Sequence, residues 1–145
     1  MTTSARRSFL FIAVLAFAGI VVSSVSLYHH YGTSKTSYCD IGENFNCDIV
    51  NRSTYSTVLG VPDALIGIVG YSVLLVLTTL YRAKSETPVV LLTASVLGLA
   101  FALYLTYVEA FVLATWCILC LSSLTLICLI TVFASFLAFS SRRRV

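Results

Sequence analysis

Four long apolar segments dominate the sequence and decide what the chain can fold into. They cover about residues 9–28, 61–81, 88–108 and 116–139. Each is long enough to cross a bilayer, because a membrane-spanning helix needs roughly 20 apolar residues. Charged residues make up 10% of the chain, whereas an average soluble domain carries about 25%. The sequence therefore predicts an all-α polytopic membrane protein, in which residues 1–145 form a single domain, a bundle of four transmembrane helices.

The first apolar segment admits a second interpretation, as a cleaved secretory signal, because Arg6 and Arg7 precede it. Its apolar run from Phe9 to Leu27 is longer than the core of about 7–15 residues that is typical of such signals. A retained membrane span is therefore the favoured interpretation.

Basic residues are divided unevenly between the two ends of the predicted bundle. One end receives Arg6, Arg7, Arg82, Lys84, Arg142, Arg143 and Arg144. The other receives Lys35 and Arg52, in the polar loop of residues 29–60 between the first two spans. Cytoplasmic loops carry excess Lys and Arg, so we expect both termini in the cytoplasm and this loop on the extracytoplasmic face of the inner (plasma) membrane. The net charge of +3 is then explained by basic residues that set the membrane topology, and a nucleic-acid partner is not needed to account for it.

Four of the five cysteines fall on the predicted extracytoplasmic face. Cys39 and Cys47 lie in the loop, and Cys117 and Cys120 lie at the start of the last span. Disulfides persist on this side of the membrane. Cys128 lies deeper in the last span, where we expect it to be a small buried hydrophobic residue.

The spacing of Cys117 and Cys120 indicates a redox-active pair. Residues three apart share one face of a helix. The free N–H groups and the dipole at a helix start favour a thiolate, which is the form that attacks disulfides. The alternative is that both are packing residues that happen to be three positions apart.

The loop pair, Cys39 and Cys47, has two interpretations of its own. It is either a structural staple, which is common outside the cell, or half of a relay that exchanges disulfides with the second pair. A zinc site that also uses His29 and His30 is disfavoured, because zinc knuckles space their cysteines two to four residues apart. We therefore expect no metal and treat the two histidines as interfacial residues.

Both cysteine motifs occur in patterns that resemble the vitamin K epoxide reductase family, particularly its short bacterial members without a fused thioredoxin-like domain. The loop resembles the family pattern Cys-x-x-Val-x-x-Ser-x-Tyr…Gly-x-Pro, here Cys47, Val50, Ser53, Tyr55, Gly60 and Pro62. The segment YLTYVEAFVLATWCILC resembles the family's entry into its Cys-x-x-Cys motif. The resemblance covers nearly the whole chain.

The resemblance implies an oxidoreductase that passes electrons to a membrane quinone of the ubiquinone or menaquinone type. It implies that Cys39 and Cys47 shuttle electrons from a separate periplasmic thioredoxin-fold (DsbA-like) partner. Cys117 would accept them through a transient bridge to Cys47, and Cys120 would face the quinone.

The resemblance also suggests two supporting residues. Ser53 matches a loop serine that is expected to stabilise the site by hydrogen bonding, although serine is also an ordinary helix cap. Asp63 is the polar residue nearest to an asparagine that binds quinone in some animal members. An ionisable residue at a membrane boundary is a functional candidate, yet an acid at a helix start after Pro62 is also stabilised by the helix dipole. Leu124 replaces a tyrosine of those animal members, so recognition by that route is not expected.

The function we predict is quinone-dependent formation of disulfides in the partner protein. One alternative is thiol-driven reduction of a quinone or quinone epoxide. A second is a membrane protein without enzymatic activity, whose outer loops are stapled by disulfides.

Overall fold

A computed structural model describes residues 2–32, 38–81 and 83–144, and the chain in these ranges is mainly helical. The helices are α1 (Thr3–Tyr31), α2 (Cys47–Asn51), α3 (Asp63–Thr79), α4 (Thr87–Val108) and α5 (Ile118–Arg142). A π-helical turn, Glu109–Leu113, continues α4. Between α2 and α3 lie a 3-10 turn, Thr54–Ser56, and an antiparallel hairpin of β1 (Thr57–Val58) and β2 (Val61–Pro62).

Three helices in the described ranges are long and apolar enough to cross a membrane. They are α1, α4 together with its π-helical turn, and α5. Helix α3 is apolar but has 17 residues, which is the lower end of the length that spans a bilayer. The predicted class, a mostly helical membrane protein, is confirmed, and the count of four spans stays a prediction.

Small and polar residues occupy much of the interior, while large apolar side chains face outward. Ser23 and Ser95 are buried, whereas Phe11, Phe17 and Phe136 are each more than half exposed. Helices in lipid gain nothing by hiding apolar surface from their solvent, so small residues that allow close approach favour their association. The buried apolar core comprises Phe9, Ile12, Ala16, Tyr71, Leu74, Leu91, Ile127, Ile130, Ala134 and Leu137.

The two termini lie at the same end of the bundle, since the side chain of Arg144 donates a hydrogen bond to Thr2 Oγ1 over 3.1 Å. The loop between α1 and α3 meets the start of α5 at the other end, where Phe45 and Trp116 form a parallel bridge. Lys35 and Arg82, which entered the charge argument, lie outside the described residues. The orientation of the bundle across the membrane stays a prediction.

The predicted loop of residues 29–60 is more ordered than the sequence suggested. Helix α1 continues to Tyr31, and α2 and most of the hairpin lie within this segment. The last helix begins at Ile118, two residues later than predicted. The cause is that Trp116 pairs with the loop backbone, which holds Cys117 in an extended conformation with φ −116° and ψ 117°.

Gly19 allows α1 to lie directly against the ring of Tyr71 on α3, because a Cβ at position 19 would overlap that ring. We expect Gly19→Ala to lower the free energy of unfolding by about 1–3 kcal/mol, the usual range for overpacking. Gly70→Ala is the matched control, since no described atom beyond the adjacent residues and backbone of its own helix lies within 4 Å of a Cβ there. Unfolding in detergent measures both variants, and equal stability would contradict the importance of this contact.

Candidate active site

The loop cysteines form a disulfide at the start of a short helix. Cys39 and Cys47 are bonded, with their Cα atoms 5.6 Å apart, and Cys47 is the first residue of α2. The side chain of Asn46 caps this helix by accepting a hydrogen bond from the N–H of Ile49 over 3.1 Å. Such a cap favours helix formation at that position, so the sequence after Cys47 fixes where its sulfur points.

The loop is joined to the start of α5 by two backbone hydrogen bonds. The N–H of Trp116 donates to the carbonyl of Asn44 over 2.9 Å, and the N–H of Asn46 donates to the carbonyl of Trp116 over 3.1 Å. This pairing brings Cys47 beside Cys117, with 3.4 Å between their Sγ atoms. Both cysteines are at most 1% exposed, so the contact is shielded from solvent.

Cys120 lies one helical turn beyond Cys117 and is half-buried. It lines a mainly apolar cavity of about 400 Å³ whose wall comes from the four long helices. The polar residues on the cavity wall, besides Cys120, are Ser23, Ser26, Asp63, Tyr71 and Ser123. Ligand pockets are typically concave and apolar with few polar groups, and this cavity has that character.

Two of these polar groups are bonded to each other across the bundle. The hydroxyl of Tyr71 donates to the carbonyl of Ser123 over 2.9 Å, and its oxygen lies 2.9 Å from the hydroxyl of Ser123. Sequence reasoning missed both residues, because a tyrosine and a serine inside apolar helices give no distinctive pattern.

Asp63, a residue singled out in the sequence, is the first residue of α3 and is buried. Its Oδ1 accepts the N–H of Ala64 over 2.7 Å. The side chain lines the main cavity and also a small second cavity beneath the loop. It is therefore positioned both as a helix-start acid and as part of the cavity wall.

Ser53, the other supporting candidate, lies in the turn after α2. Its hydroxyl donates to the carbonyl of Val50 over 2.8 Å, and its own carbonyl accepts from the hydroxyl of Ser56 over 2.8 Å. These bonds stabilise the turn locally. Ser53 also lines the small second cavity, and a role for it in the chemistry stays a prediction.

Glu109 is a site residue that sequence reasoning missed. Its Oε2 accepts the N–H of Cys117 over 3.1 Å, and its backbone carbonyl accepts the N–H of Thr115 over 3.1 Å. The π-helical turn and Ala114, which has the left-handed φ of 49°, reverse the chain so that this carboxyl lies beside Cys117. An acid inside an apolar span is a functional candidate by default, and that signal is visible in the sequence.

His29 holds the loop from the side of α1. Its Nε2 lies 2.5 Å from the hydroxyl of Tyr38, and its Nδ1 lies 3.9 Å from Oδ1 of Asp48. Tyr38 precedes Cys39 and Asp48 follows Cys47, so this one imidazole contacts both ends of the disulfide-closed segment. His29 is 2% exposed, and its placement at the membrane interface stays a prediction.

His30 and the fifth cysteine have different surroundings. His30 Nδ1 hydrogen-bonds the carbonyl of Asn51, which also ties α1 to α2. Cys128 has a free thiol and is half-buried, where full burial was expected. In the ranges that the structure describes, no group of three or more His, Cys, Asp or Glu side chains is arranged to hold a metal ion.

A comparison with protein families gives a match to the model of the vitamin K epoxide reductase family over residues 10–136. This range contains all five cysteines, the whole loop, Glu109 and nearly all of the four long helices. The match covers most of the chain, so the resemblance seen in the sequence is confirmed. The chain belongs to the vitamin K epoxide reductase family, which makes it a membrane oxidoreductase of the general quinone-linked type.

Proposed function

We propose that the protein forms disulfides in a separate periplasmic thioredoxin-fold (DsbA-like) protein and passes the electrons to a membrane quinone. The route runs from the partner to Cys39 and Cys47, then to Cys117 and Cys120, then to the quinone. The observation that carries this proposal is the distance of 3.4 Å between the Sγ atoms of Cys47 and Cys117. Thiol–disulfide exchange requires a thiolate in contact with a disulfide sulfur.

In the first step, a thiolate of the reduced partner attacks the Cys39–Cys47 disulfide. The partner's second thiol then resolves the mixed disulfide, so the partner loses two electrons and two protons and the loop gains two thiols. Both loop cysteines are buried, so the loop must lift from the bundle to admit the partner. Tyr38, Ile41 and Ile49 are more than half exposed on this loop and offer the partner an apolar surface.

In the second step, the Cys47 thiolate attacks the Cys117 sulfur of a Cys117–Cys120 disulfide, and Cys120 leaves. Cys39 then attacks Cys47, which re-forms the loop disulfide and releases Cys117 as a thiol. The described arrangement, with the loop pair bonded and the thiols of Cys117 and Cys120 free, corresponds to the end of this step.

In the third step, Cys120 donates the electrons while its bond to Cys117 re-forms. A quinone, when bound, supplies an acceptor for two electrons and two protons. The cavity of about 400 Å³ beside Cys120 is in the range of small-molecule sites and its apolar wall suits a lipid-soluble ring. Asp63, Tyr71 and Ser123 are the wall residues with polar groups that would orient a quinone there.

We place the loop and the active-site cysteines on the extracytoplasmic face of the inner membrane, with both termini in the cytoplasm. The support is the positive charge at the opposite end of the bundle, from Arg6, Arg7 and Lys84 together with the arginines at 142–144. Cytoplasmic connections carry such an excess. A thioredoxin-fold partner in the periplasm would then meet the loop directly.

The first prediction tests the electron donor. Cys120→Ala should reduce quinone, with a reduced thioredoxin-fold partner as electron source, at least about 10³-fold more slowly, because the reacting sulfur is removed. Cys128→Ala is the matched control, since it removes a thiol from the same helix, and its rate should equal that of the wild type. The absorbance change of the quinone measures the rate, and wild-type turnover by Cys120→Ala would contradict the assignment.

The second prediction tests the shuttle. Cys39→Ala should lose turnover with the protein partner, because the loop disulfide can no longer form. A small dithiol such as dithiothreitol should still support quinone reduction in this variant by reducing Cys117 and Cys120 directly. Rates are compared with both reductants, and an equal loss with both would argue against a relay.

The third prediction tests the sulfur contact. In Cys39→Ala/Cys120→Ala, mild oxidation with oxidised glutathione should join Cys47 to Cys117, since these sulfurs are already in contact. The control adds Cys117→Ala and leaves Cys128 as the second thiol, which should give no bridge to Cys47. Peptide mass spectrometry without reduction identifies the linked pair, and absence of a Cys47–Cys117 peptide would contradict the relay geometry.

A further inference from the structure

The side chain of Glu109 is buried, and only one of its two carboxyl oxygens accepts a hydrogen bond. It is 1% exposed, and its Oε2 accepts the N–H of Cys117. Its Oε1 is buried and accepts no hydrogen bond from any residue that the structure describes. The thiol of Cys120 neighbours this carboxyl. The carboxyl group therefore lies beside the Cys117–Cys120 pair, where the proposed relay needs a proton acceptor.

A purely structural role leaves the charge of Glu109 unexplained. The bond to the Cys117 N–H needs one oxygen acceptor, which the amide of a glutamine would supply equally well. Burying a carboxylate with an unpartnered oxygen is costly. A group that is retained despite this cost, next to a reactive sulfur, is a candidate for proton transfer.

We infer that Glu109 accepts the proton of the Cys120 thiol as Cys120 becomes the thiolate that donates electrons. The inference rests on the proposed function, which gives Cys120 that role. Transfer from sulfur to carboxylate moves the negative charge between two neighbouring atoms and creates no second charge in apolar surroundings. A thiolate beside an ionised carboxylate would instead place two negative charges together, and each charge disfavours the ionised form of the other group.

The proton balance of the step closes within the site. Cys117 and Cys120 together lose two electrons and two protons as one S–S bond forms between them. Glu109 takes the proton of Cys120 and gives it up when the quinone is reduced, so the carboxylate is regenerated in each cycle. The second proton comes from the Cys117 thiol, and the quinol that leaves carries both protons and both electrons.

The other titratable groups near Glu109 and Cys120 come from three helices. Cys117 lies at the start of α5, and Asp63 of α3 shares the small second cavity with Glu109. His30 of α1 lies close enough to hydrogen-bond the carbonyl of Asn51. The loop cysteines are bonded to each other and do not titrate in this state.

The test measures alkylation of Cys120 by iodoacetamide in the reduced full-length protein without quinone or partner. Peptide mass spectrometry separates Cys120 from Cys117 and Cys128. In the wild type, the proton that leaves the Cys120 thiol moves to the Glu109 carboxylate and not to water. The fraction of thiolate is then nearly independent of pH, so the alkylation rate of Cys120 should change less than about threefold per pH unit near neutrality. In Glu109→Gln the thiol titrates alone, and the rate should rise about tenfold per pH unit. Glu43→Gln, which removes an exposed carboxyl of the loop, is the control and should keep the wild-type profile.

A second measurement follows quinone reduction by the prereduced protein in a single turnover. Glu109→Gln should be slower by about 10²-fold, the lower end of the usual contribution of a general base, with unchanged apparent affinity for quinone. We expect Glu109→Gln to fold, because the glutamine amide oxygen can still accept the N–H of Cys117. Retention of the Cys39–Cys47 disulfide and of wild-type thermal stability checks this.

Two results would overturn the inference. One is a wild-type Cys120 whose alkylation rate rises about tenfold per pH unit, as an isolated thiol does, and this result needs no variant. The other is wild-type quinone reduction by folded Glu109→Gln, which would leave Glu109 as a cap of the α5 backbone. Failure of the proposed function has a different signature, full quinone reduction by Cys120→Ala, and the alkylation profile does not depend on it.

Discussion

The contact between Cys47 and Cys117 depends on how the loop pairs with the start of α5. Two backbone hydrogen bonds on either side of Phe45 set the register between Trp116 and the loop. Side chains alternate in direction along extended backbone, so a shift of one residue would turn a sulfur away from its partner. His29 contributes from α1 by contacting the residues that flank the disulfide. Contacts from two helices, α1 and α5, therefore fix the register.

The reversal between α4 and α5 explains how two functional groups from adjacent helices meet. Both Ala114 and Thr115 donate their N–H groups to the carbonyl of Glu109, which closes the π-helical turn. The left-handed conformation of Ala114 costs of order 1 kcal/mol or more for a residue with a Cβ. A regular α-helical end would avoid this cost but would direct Glu109 elsewhere. π-helical turns occur frequently at functional sites, and here the turn delivers a carboxyl to the backbone of Cys117.

The parts of this site that the sequence predicts are those carried by local patterns. The apolar runs predict the long helices, and the spacing of the cysteines predicts two dithiols at one end of the bundle. The position of α2 and the pairing at Trp116 depend on contacts between segments about 70 positions apart, for which a single sequence carries no local pattern. His29 looked like a loop residue because the apolar run stops at Leu27, yet α1 continues for another turn. Glu109 can be recognised in the sequence as an acid within an apolar segment. Its hydrogen bond to the N–H of Cys117 depends on the chain reversal between α4 and α5, which has no sequence pattern of its own.

Burial of the sulfurs separates the two exchange steps of the proposed relay, whose direction is set by the redox potentials of the partner and the acceptor. Cys39, Cys47 and Cys117 are at most 1% exposed, so the active-site thiols of a protein partner cannot reach them while the loop is docked. A partner that lifts the loop exposes the disulfide and at the same time separates Cys47 from Cys117. Redocking hides the reduced loop pair from the partner and restores the contact of 3.4 Å. In the proposed relay, the partner and the inner pair therefore react with the loop in turn and not at once. Cys120, about 4.5 Å further along α5 at 1.5 Å per residue, is the point where that inward path reaches the cavity.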